Sequence, residues 1–292
     1  FMLKIIKKLL KSKFGLNYLV SLRDRQRITI ALQKGLISRS IRNICLTDPL
    51  SWEFSGFSQN GEDGIIEILV SKLREKNKYF IEIGSADGID NNSAWLLINH
   101  NFNGIMIEGD KSLINTANRV VAHYNHGLQI INHMVNIKSV DYIKSITQFT
   151  NPDVFSLDID SIDYYVAKEL FEKGFEPKIF IVEYNSAFGP DKKITVEYSE
   201  NFNFGSHHPS FLYYGVSINA WKSLFEKYGY KFITVDSNGV NAFFVHPKYF
   251  DEIFLNQIKS INFNENQLQK EKFKLPHNEQ FKLIEKLDYY QV

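Results

Sequence analysis

The stretch KYFIEIGSADGIDNNSAWLLINHNFNGIMIEGD, from Lys78 to Asp110, decides the fold of this chain. Its first apolar run, 79–83, is rich in β-branched and aromatic residues and stops at Gly84, which predicts a buried strand followed by a tight turn. A short helix at 94–99 and a second strand that ends on Glu108 complete the stretch. Strand, glycine turn, helix, strand and terminal acid together make half of a nucleotide-binding crossover.

The turn after the first strand indicates which nucleotide is bound. A dinucleotide fold has Gly-x-Gly-x-x-Gly here, because bare backbone amides at a helix N-terminus must approach a pyrophosphate. The turn GSADG, residues 84–88, lacks that spacing and adds a carboxylate that would repel phosphate. An acidic turn of this kind suits a ligand with an adenosine and a cationic end, namely S-adenosylmethionine. Glu108 is then expected to bind the ribose hydroxyls.

Strand and helix patterns alternate through the rest of the core. Further strands are predicted at 128–131, 154–158 and 178–182, and helices at 112–124, 141–149, 164–173 and 217–228. The alternation implies right-handed crossovers and a parallel sheet covered on both faces. Two last runs, 231–235 and 241–245, flank a turn containing Asn238-Gly239 and predict an antiparallel hairpin.

Composition limits the functional classes. The 292 residues are 44% hydrophobic and 23% charged, which predicts one α/β domain with extensions and argues against disorder. The net charge of +1 implies no general affinity for polyanions, and no nucleic-acid partner is predicted. A single cysteine, Cys45, excludes an intramolecular disulfide and fits a reducing, cytoplasmic setting.

Residues 1–50 are predicted to form a basic helical N-terminal arm. Residues 1–43 contain eleven Lys or Arg and one acid, Asp24, so the arm carries +10 and the rest of the chain −9. Residues 2–14 have one apolar helical face and one lysine-rich face, which suits peripheral contact with the inner membrane face, packing on the body, or a homo-oligomer. Residues 21–44 continue as basic helix, with a break expected at Gly35. No stretch approaches the roughly 18 apolar residues that span a bilayer.

Residues 51–250 are predicted to form the catalytic domain and 251–292 a helical C-terminal extension. Within the domain, residues 58–64 (SQNGEDG) precede a helix and suit either a helix cap or a site. Residues 186–216 have no period but are rich in aromatics, Asn and His, which indicates a functional loop.

Polar residues recur where strands end, which is where open α/β sheets bind ligands. Asp158, Asp160, Glu183 and Asn185 follow the fourth and fifth strands and offer oxygen ligands suited to Mg²⁺ or Mn²⁺. The alternative is that Asp158 contacts the cofactor while the other acids cap helices.

Six motifs, in their order and spacing, resemble those of the class I S-adenosylmethionine-dependent methyltransferases. Within that class the chain is most similar to the FkbM-like and macrocin-type sugar O-methyltransferases. The matching segments are 58–63, 82–88, 107–110, 156–164, 182–185 and 241–245. They cover about 56–247 of the chain. The segment Asp158-Ile159-Asp160-Ser161 departs from the Asp-Val-Glu-Gly that is more frequent in FkbM-like proteins.

The resemblance implies a Rossmann-like methyltransferase fold, with a mostly parallel seven-stranded sheet, a terminal antiparallel hairpin and helical extensions. It also implies a cofactor site. The candidate cofactor-binding residues are Gln59, Glu82, Gly84, Ser85, Asp87, Gly88, Glu108, Gly109, Asp110 and Asp158. Methyl transfer to a hydroxyl needs proton removal from a weak nucleophile, and the candidate catalytic residues are Asp160, His207 and His208.

The resulting hypothesis is an S-adenosylmethionine-dependent O-methyltransferase. The resemblance implies that its acceptor is a hydroxyl of a nucleotide-linked sugar or glycan precursor, for a surface polysaccharide or a glycosylated metabolite. One alternative is a non-catalytic module of the same fold that docks on a membrane or a glycan-assembly partner. A nicotinamide-dependent oxidoreductase is disfavoured by the glycine spacing.

Overall fold

A computed structural model of the chain describes residues 13–292. The amphipathic pattern predicted at 2–14 therefore lies almost entirely outside the described residues. Nine strands are present in the described part: β1 (Tyr79–Ile83), β2 (Asn103–Glu108), β3 (Leu128–Asn132), β4 (Val154–Leu157), β5 (Ile179–Glu183), β6 (Ile194–Val196), β7 (Lys231–Val235), β8 (Asn241–Val245) and β9 (Tyr289–Gln291).

The helices of the same part alternate with these strands through the core. They are α1 (Lys13–Ile41), α2 (Glu62–Lys72), α3 (Ala94–His100), α4 (Lys111–Val120), α5 (Ser139–Ile146), α6 (Asp163–Glu172), α7 (Phe204–His207), α8 (Ile218–Lys227), α9 (Glu252–Gln257), α10 (Gln267–Phe273) and α11 (His277–Lys282). Short 3₁₀ turns occupy Pro49–Trp52, Ser186–Phe188 and Pro247–Tyr249.

Seven strands form the central sheet in the order β3-β2-β1-β4-β5-β8-β7. β1 to β5 pair in parallel, whereas β8 is antiparallel to both β5 and β7. The predicted fold class, a mostly parallel seven-stranded sheet ending in an antiparallel hairpin, is confirmed. This is the Rossmann-like methyltransferase arrangement that the sequence motifs implied.

The sheet is covered on both faces, which explains why its strands are apolar at nearly every position. On β1, Phe80 packs into one hydrophobic core with Trp52 and Trp95, while Ile81 and Ile83 pack into a second core with Trp221. Because the parallel strands all end at the same edge, this packing fixes the positions of the polar residues that follow them.

Helix α1 runs without a break through Gly35, so the break predicted there is wrong. A Cβ at Gly35 would lie 2.5 Å from Trp95 Cζ3 and 2.9 Å from the Gly56 Cα. The glycine therefore serves close packing of the arm on the body. Ion pairs hold the same helix, with 2.7 Å between Asp24 Oδ2 and Arg119 Nε and 2.8 Å between Arg39 Nε and Glu67 Oε1.

The segment 186–216, which showed no period, contains β6 and the short helix α7. β6 pairs antiparallel with β9, the strand that ends the chain. The C-terminal extension, predicted to be helical, thus contains three helices and one strand. It packs over the 186–216 segment through a third hydrophobic core that includes Phe188, Leu212 and Ile284.

Among the described residues, no helix has the length and apolar content required to cross a bilayer.

Candidate functional site

Four polar or turn residues follow strands β1, β2, β4 and β5 at the carboxyl edge of the sheet: Gly84, Glu108, Asp158 and Glu183. Three of them, Gly84, Glu108 and Asp158, line a cleft of about 580 Å³, here called the main cleft. Its other walls come from the chain after β3 and from helix α4. Ligand pockets in proteins commonly fall in a range of roughly 300 to 1,000 Å³, so the main cleft has the size of a ligand site.

Gly84 lets the first turn approach the end of β4. Its φ is +82°, and a Cβ at this position would lie 1.6 Å from the backbone oxygen of Asp158. No side chain fits in that space. The backbone amides of Gly84 and Ser85 donate to the Ile107 oxygen at 2.9 and 3.1 Å. The turn is thereby fixed between β2 and β4, at the centre of the main cleft.

Glu108 ends β2 with its carboxylate held in place by backbone. The amide of Ala86 donates to Oε2 at 3.1 Å, and the amide of Asp110 donates to Oε1 at 2.8 Å. Each carboxylate oxygen keeps a further lone pair for a ligand. Glu108, Gly109 and Asp110 all line the main cleft.

Asp158 and Asp160, which line the main cleft, lie close to Glu183. One carboxylate oxygen from each lies within 4.8 Å of the others. Burial, together with the charges of Asp160 and Asp163, raises the pKa of Asp158 well above its ordinary value. Burial and the charges of Asp158 and Asp160 likewise raise the pKa of Glu183. No Lys, Arg or His forms an ion pair with this acid trio in the described chain, so its charge calls for protons or a cation.

Asp160 adopts a left-handed backbone conformation, with a φ of +50°. Aspartate tolerates this region better than most residues other than glycine. Two backbone amides, of Ile159 and Ser161, donate to the Asp163 carboxylate at 2.9 Å each and hold the turn.

A hydrogen-bond chain from the C-terminal extension reaches Glu183. The backbone amide of Asn266 donates to the Ser186 hydroxyl at 2.9 Å, and that hydroxyl donates to Gln269 Oε1 at 3.4 Å. The Gln269 side-chain nitrogen donates to the Tyr214 hydroxyl at 3.1 Å. Tyr214 in turn donates to Glu183 Oε1 at 3.1 Å.

Asn185, predicted as a fourth metal ligand, has its side chain hydrogen-bonded to neighbouring backbone. Its side-chain nitrogen donates to the backbone oxygens of Leu212 and Tyr214 at 2.7 and 2.9 Å, and its oxygen accepts from the Ala187 amide at 3.0 Å. The side-chain nitrogen thus holds the 212–214 segment beside the end of β5.

Three predicted cofactor residues of the glycine turn do not line the main cleft. Asp87 faces the arm, where its Oδ2 lies 2.5 Å from Arg27 Nη1. Gly88 permits close packing, because a Cβ there would lie 2.8 Å from the Val121 side chain. Ser85 is fully buried beneath the turn. Sequence spacing placed these residues in the turn but could not show which way each one faces.

Glu82 lies beneath the cleft, with its carboxylate bonded to the turn that precedes α3. The Asn92 and Ser93 amides donate to it at 2.8 and 2.9 Å, and the Ser93 hydroxyl also bonds it. Burial raises the pKa of Glu82 to about 7, although these hydrogen bonds lower it. Together with Gln59, Glu82 lines a polar pocket of about 80 Å³ that adjoins the main cleft.

In the segment 58–64, the N-cap residue of α2, Gly61, makes no side-chain capping bond. Asp63 Oδ2 accepts from the backbone amides of Gly56, Phe57 and Ser58 at 2.8 to 3.0 Å and so shapes the turn before α2. Gln59, in the same turn, lines the main cleft.

His207 and His208 do not line the main cleft. The His207 ring stacks on Phe202 with centroids 4.4 Å apart. His208 Nδ1 lies 2.7 Å from the Ser210 hydroxyl. Both histidines are in the segment that passes over the strand ends, but the structure brings only Asp160, of the three candidate bases, into the cleft.

Apolar residues of the main cleft were not singled out from the sequence. Leu113 of α4 and Met134 and Val135 after β3 line its wall, beside His133. Their arrangement at the β3 end suits the flat, apolar face of a base. Their only signal in the sequence was position, because Leu113 comes shortly after the second predicted strand and Met134 and Val135 come shortly after the third.

Comparison with known proteins gives structural matches only. No protein-family model matches the chain, and no curated protein does. An O-methyltransferase from Bacillus cereus in complex with SAH is 14% identical, with 75% of this chain and 89% of the other covered and a TM-score of 0.42. The O-methyltransferase TomG from Streptomyces achromogenes in complex with SAM is 14% identical, with 65% and 80% covered and a TM-score of 0.41.

A third match is a putative O-methyltransferase from Klebsiella pneumoniae. It is 11% identical, covers 82% of this chain and 92% of its own, and has a TM-score of 0.41. At this level of similarity the function of the chain has to be argued from its own residues.

Proposed function

We propose that this protein is an S-adenosylmethionine-dependent methyltransferase that acts on a hydroxyl group. The observation that carries the proposal is the charge of the main cleft. Five acidic residues line it, one of which, Asp90, pairs with Arg27, and no Lys or Arg is among its described lining residues. The five acids are Asp90, Glu108, Asp110, Asp158 and Asp160.

The acidic lining favours S-adenosylmethionine over a dinucleotide as the cofactor. A dinucleotide brings a pyrophosphate, which needs amide or cationic partners and is repelled by carboxylates. S-adenosylmethionine carries no phosphate and has a positive sulfonium, so an acidic cleft favours it. The fixed Glu108 carboxylate suits two ribose hydroxyls, and the apolar wall at Leu113 and Val135 suits adenine.

The residues at the far end of the cleft suit the acceptor. Asp160 lies in the main cleft, and burial raises the pKa of its carboxyl toward the range useful for a general base. When the acceptor oxygen bonds the methyl carbon and the methyl–sulfur bond breaks, the hydroxyl proton passes to the Asp160 carboxylate. Alignment of the two reactants in one cleft supplies much of the remaining acceleration.

The acid trio also fits a divalent cation. Three carboxylate oxygens within 4.8 Å of one another form a hard oxygen donor set, and no basic side chain in the described chain neutralises it. A bound Mg²⁺ or Mn²⁺ would lower the pKa of an acceptor hydroxyl. Asp158, Asp160 and Glu183 would hold the ion, while Tyr214 orients Glu183.

We further propose that the acceptor is a sugar or a nucleotide-linked sugar. The sequence motifs support this through their resemblance to sugar O-methyltransferases. The aromatic segment 202–214 above the strand ends supports it as well, because aromatic side chains stack on sugar faces.

Calorimetric titration tests the function directly. The protein is titrated with S-adenosylmethionine, S-adenosylhomocysteine and NAD⁺, each with and without Mg²⁺. Micromolar binding of the first two, with NAD⁺ at least about 100-fold weaker, is expected. A folded sample that binds NAD⁺ as tightly as S-adenosylmethionine contradicts the proposal. A folded sample that binds none of them favours a non-catalytic docking module.

A further inference from the structure

A third cavity, of about 250 Å³, lies on the far side of Asp160 from the main cleft and is here called the side pocket. Its walls are Asp160, the 210–214 segment, and the start of the C-terminal extension from Asn266 through helix α10. Asp160 lines both the main cleft and the side pocket. A molecule in the side pocket would therefore reach the same carboxylate as a cofactor in the main cleft.

Backbone strain marks the side pocket. Six residues other than glycine have positive φ in the described chain, and two of them, Asp160 at +50° and Phe211 at +61°, line this one small cavity. A left-handed conformation is unusual for a bulky aromatic residue and is retained where the fold imposes it. Here it presents a Phe211 side chain that is 44% exposed at the mouth of the pocket.

The polar groups of the side pocket suit a polyhydroxyl ligand. Asn266 and Gln269 contribute amides, and Tyr214 contributes a hydroxyl. Asn266 Oδ1 accepts from the Gln269 backbone amide at 3.1 Å, and the Gln269 side-chain nitrogen donates to the Tyr214 hydroxyl at 3.1 Å, so these groups are oriented before a ligand arrives. Preformed donors and acceptors next to an aromatic face match the alternating hydroxyls and C–H faces of a sugar ring.

A cation also lines the side pocket. Lys272 Nζ is 5.4 Å from the Phe211 ring centroid and 5.1 Å from that of Phe273. In the part of the chain that the structure describes, Lys272 forms no ion pair, whereas its helix neighbour Lys270 lies 3.7 Å from Glu265. The side pocket thus contains both the Asp160 carboxyl group and the Lys272 ammonium.

We propose that the side pocket binds the methyl acceptor and that this acceptor is a sugar with an anionic group, either a carboxylate or a phosphate. The reacting hydroxyl lies at Asp160, the ring packs on Phe211, and the anionic group pairs with Lys272. This inference rests on the proposed methyltransferase function and names its substrate class.

Titration of the protein saturated with S-adenosylhomocysteine tests the inference. The probes are glucuronate, galacturonate, glucose 1-phosphate and glucose 6-phosphate, each beside its neutral parent sugar. At least one anionic probe is expected to bind about fivefold or more tightly than its parent, with the difference shrinking in high salt. Uronates and phosphates distinguish the two anion types.

Two variants locate the effect. Lys272→Ala should remove the preference for the anionic probe, while Lys270→Ala, on the same helix but outside the side pocket, should keep it. Equal binding of anionic and neutral sugars, equal losses in both variants, or no binding of any probe overturns the inference. If S-adenosylhomocysteine itself fails to bind, the proposed function fails first, and the two failures are thereby distinguished.

Discussion

Arg27 Nη1 on the arm helix lies 2.5 Å from Asp87 Oδ2, and its Nη2 lies 3.0 Å from Asp90 Oδ2. Asp87 belongs to the glycine turn, whereas Asp90 follows that turn and lines the main cleft. One arginine of the N-terminal arm thus positions the loop that forms one side of the cofactor site.

Replacing that arginine should loosen the loop. Arg27→Ala is expected to weaken S-adenosylhomocysteine binding by about two- to fivefold, since partly exposed ion pairs contribute roughly 0.5 to 1 kcal/mol. The measurement is calorimetric titration at low salt. Arg25→Ala, on the same helix and without an ion pair to the turn, is the control and should bind normally. Equal affinities in all three proteins would show that the loop keeps its shape without the arm.

Removing the ribose carboxylate should have a larger effect. Glu108→Ala is expected to raise the dissociation constant for S-adenosylhomocysteine by about 10- to 100-fold, because hydrogen bonds to a charged group contribute roughly 1.5 to 3 kcal/mol. Glu108→Gln keeps the size of the side chain and one acceptor oxygen. Its dissociation constant should therefore lie between those of the wild type and Glu108→Ala. Circular dichroism confirms that each variant is folded. Unchanged affinity in Glu108→Ala would remove the ribose assignment.

Replacing an acid of the trio by its amide should change catalysis. Asp160→Asn should lower methyl transfer by about 100-fold or more, because the proton acceptor is lost. Glu183→Gln should leave cofactor affinity intact and abolish any stimulation by Mg²⁺. The assay is methyl transfer from labelled S-adenosylmethionine, with a Mg²⁺ titration after treatment with EDTA. If the wild-type enzyme is fully active in excess EDTA, the metal is ruled out. The role of Asp160 as proton acceptor is then still tested by Asp160→Asn.

Gly35 should not tolerate alanine even though it lies in a helix. Gly→Ala in a helix interior usually stabilises by up to about 1 kcal/mol. Here the added Cβ would lie 2.5 Å from Trp95, so overpacking should destabilise by roughly 1 to 3 kcal/mol. Thermal unfolding should show a Tm several degrees lower, whereas Gln33→Ala on the exposed face should leave it unchanged. A raised Tm in Gly35→Ala would mean that the helix and Trp95 are further apart than described.

The arm should detach in acid. Burial raises the pKa of Glu67, but hydrogen bonds from His100, Arg39 and Trp95, with the charge of Arg39, bring it down to about 2. The folded-state pKa is therefore lower than the ordinary value of 4.5, so the stabilisation is present above pH 4.5 and is lost as the pH falls through about 2.

Urea unfolding at pH 7 and pH 3 measures this loss. Wild type should lose more stability between these pH values than Glu67→Gln, which is already weaker at pH 7 and lacks the titrating group. The same pH dependence in both proteins would assign the acid sensitivity to other carboxylates.

Much of the fold followed from the sequence because its signals are local. An apolar run that stops at a glycine, as at 79–84, predicts a strand and a turn from residues that are neighbours in the chain. Positions at strand ends are equally local, so Glu108, Asp158 and Glu183 could be placed at one edge before any coordinates were known. The glycine spacing of the turn likewise disfavoured a dinucleotide from sequence alone.

Long-range contacts decided the rest. Gly35 looked like a helix break because its partners Trp95 and Gly56 are distant in sequence. Asp87 fitted the cofactor motif, yet Arg27, which is 60 residues away, turns it toward the arm. The C-terminal extension had no readable chemistry, but folding brings Gln269 against Tyr214 and Lys272 over Phe211. Sequence thus determined which residues end the strands, whereas only the tertiary structure decided which way each side chain faces and which distant segment completes the site.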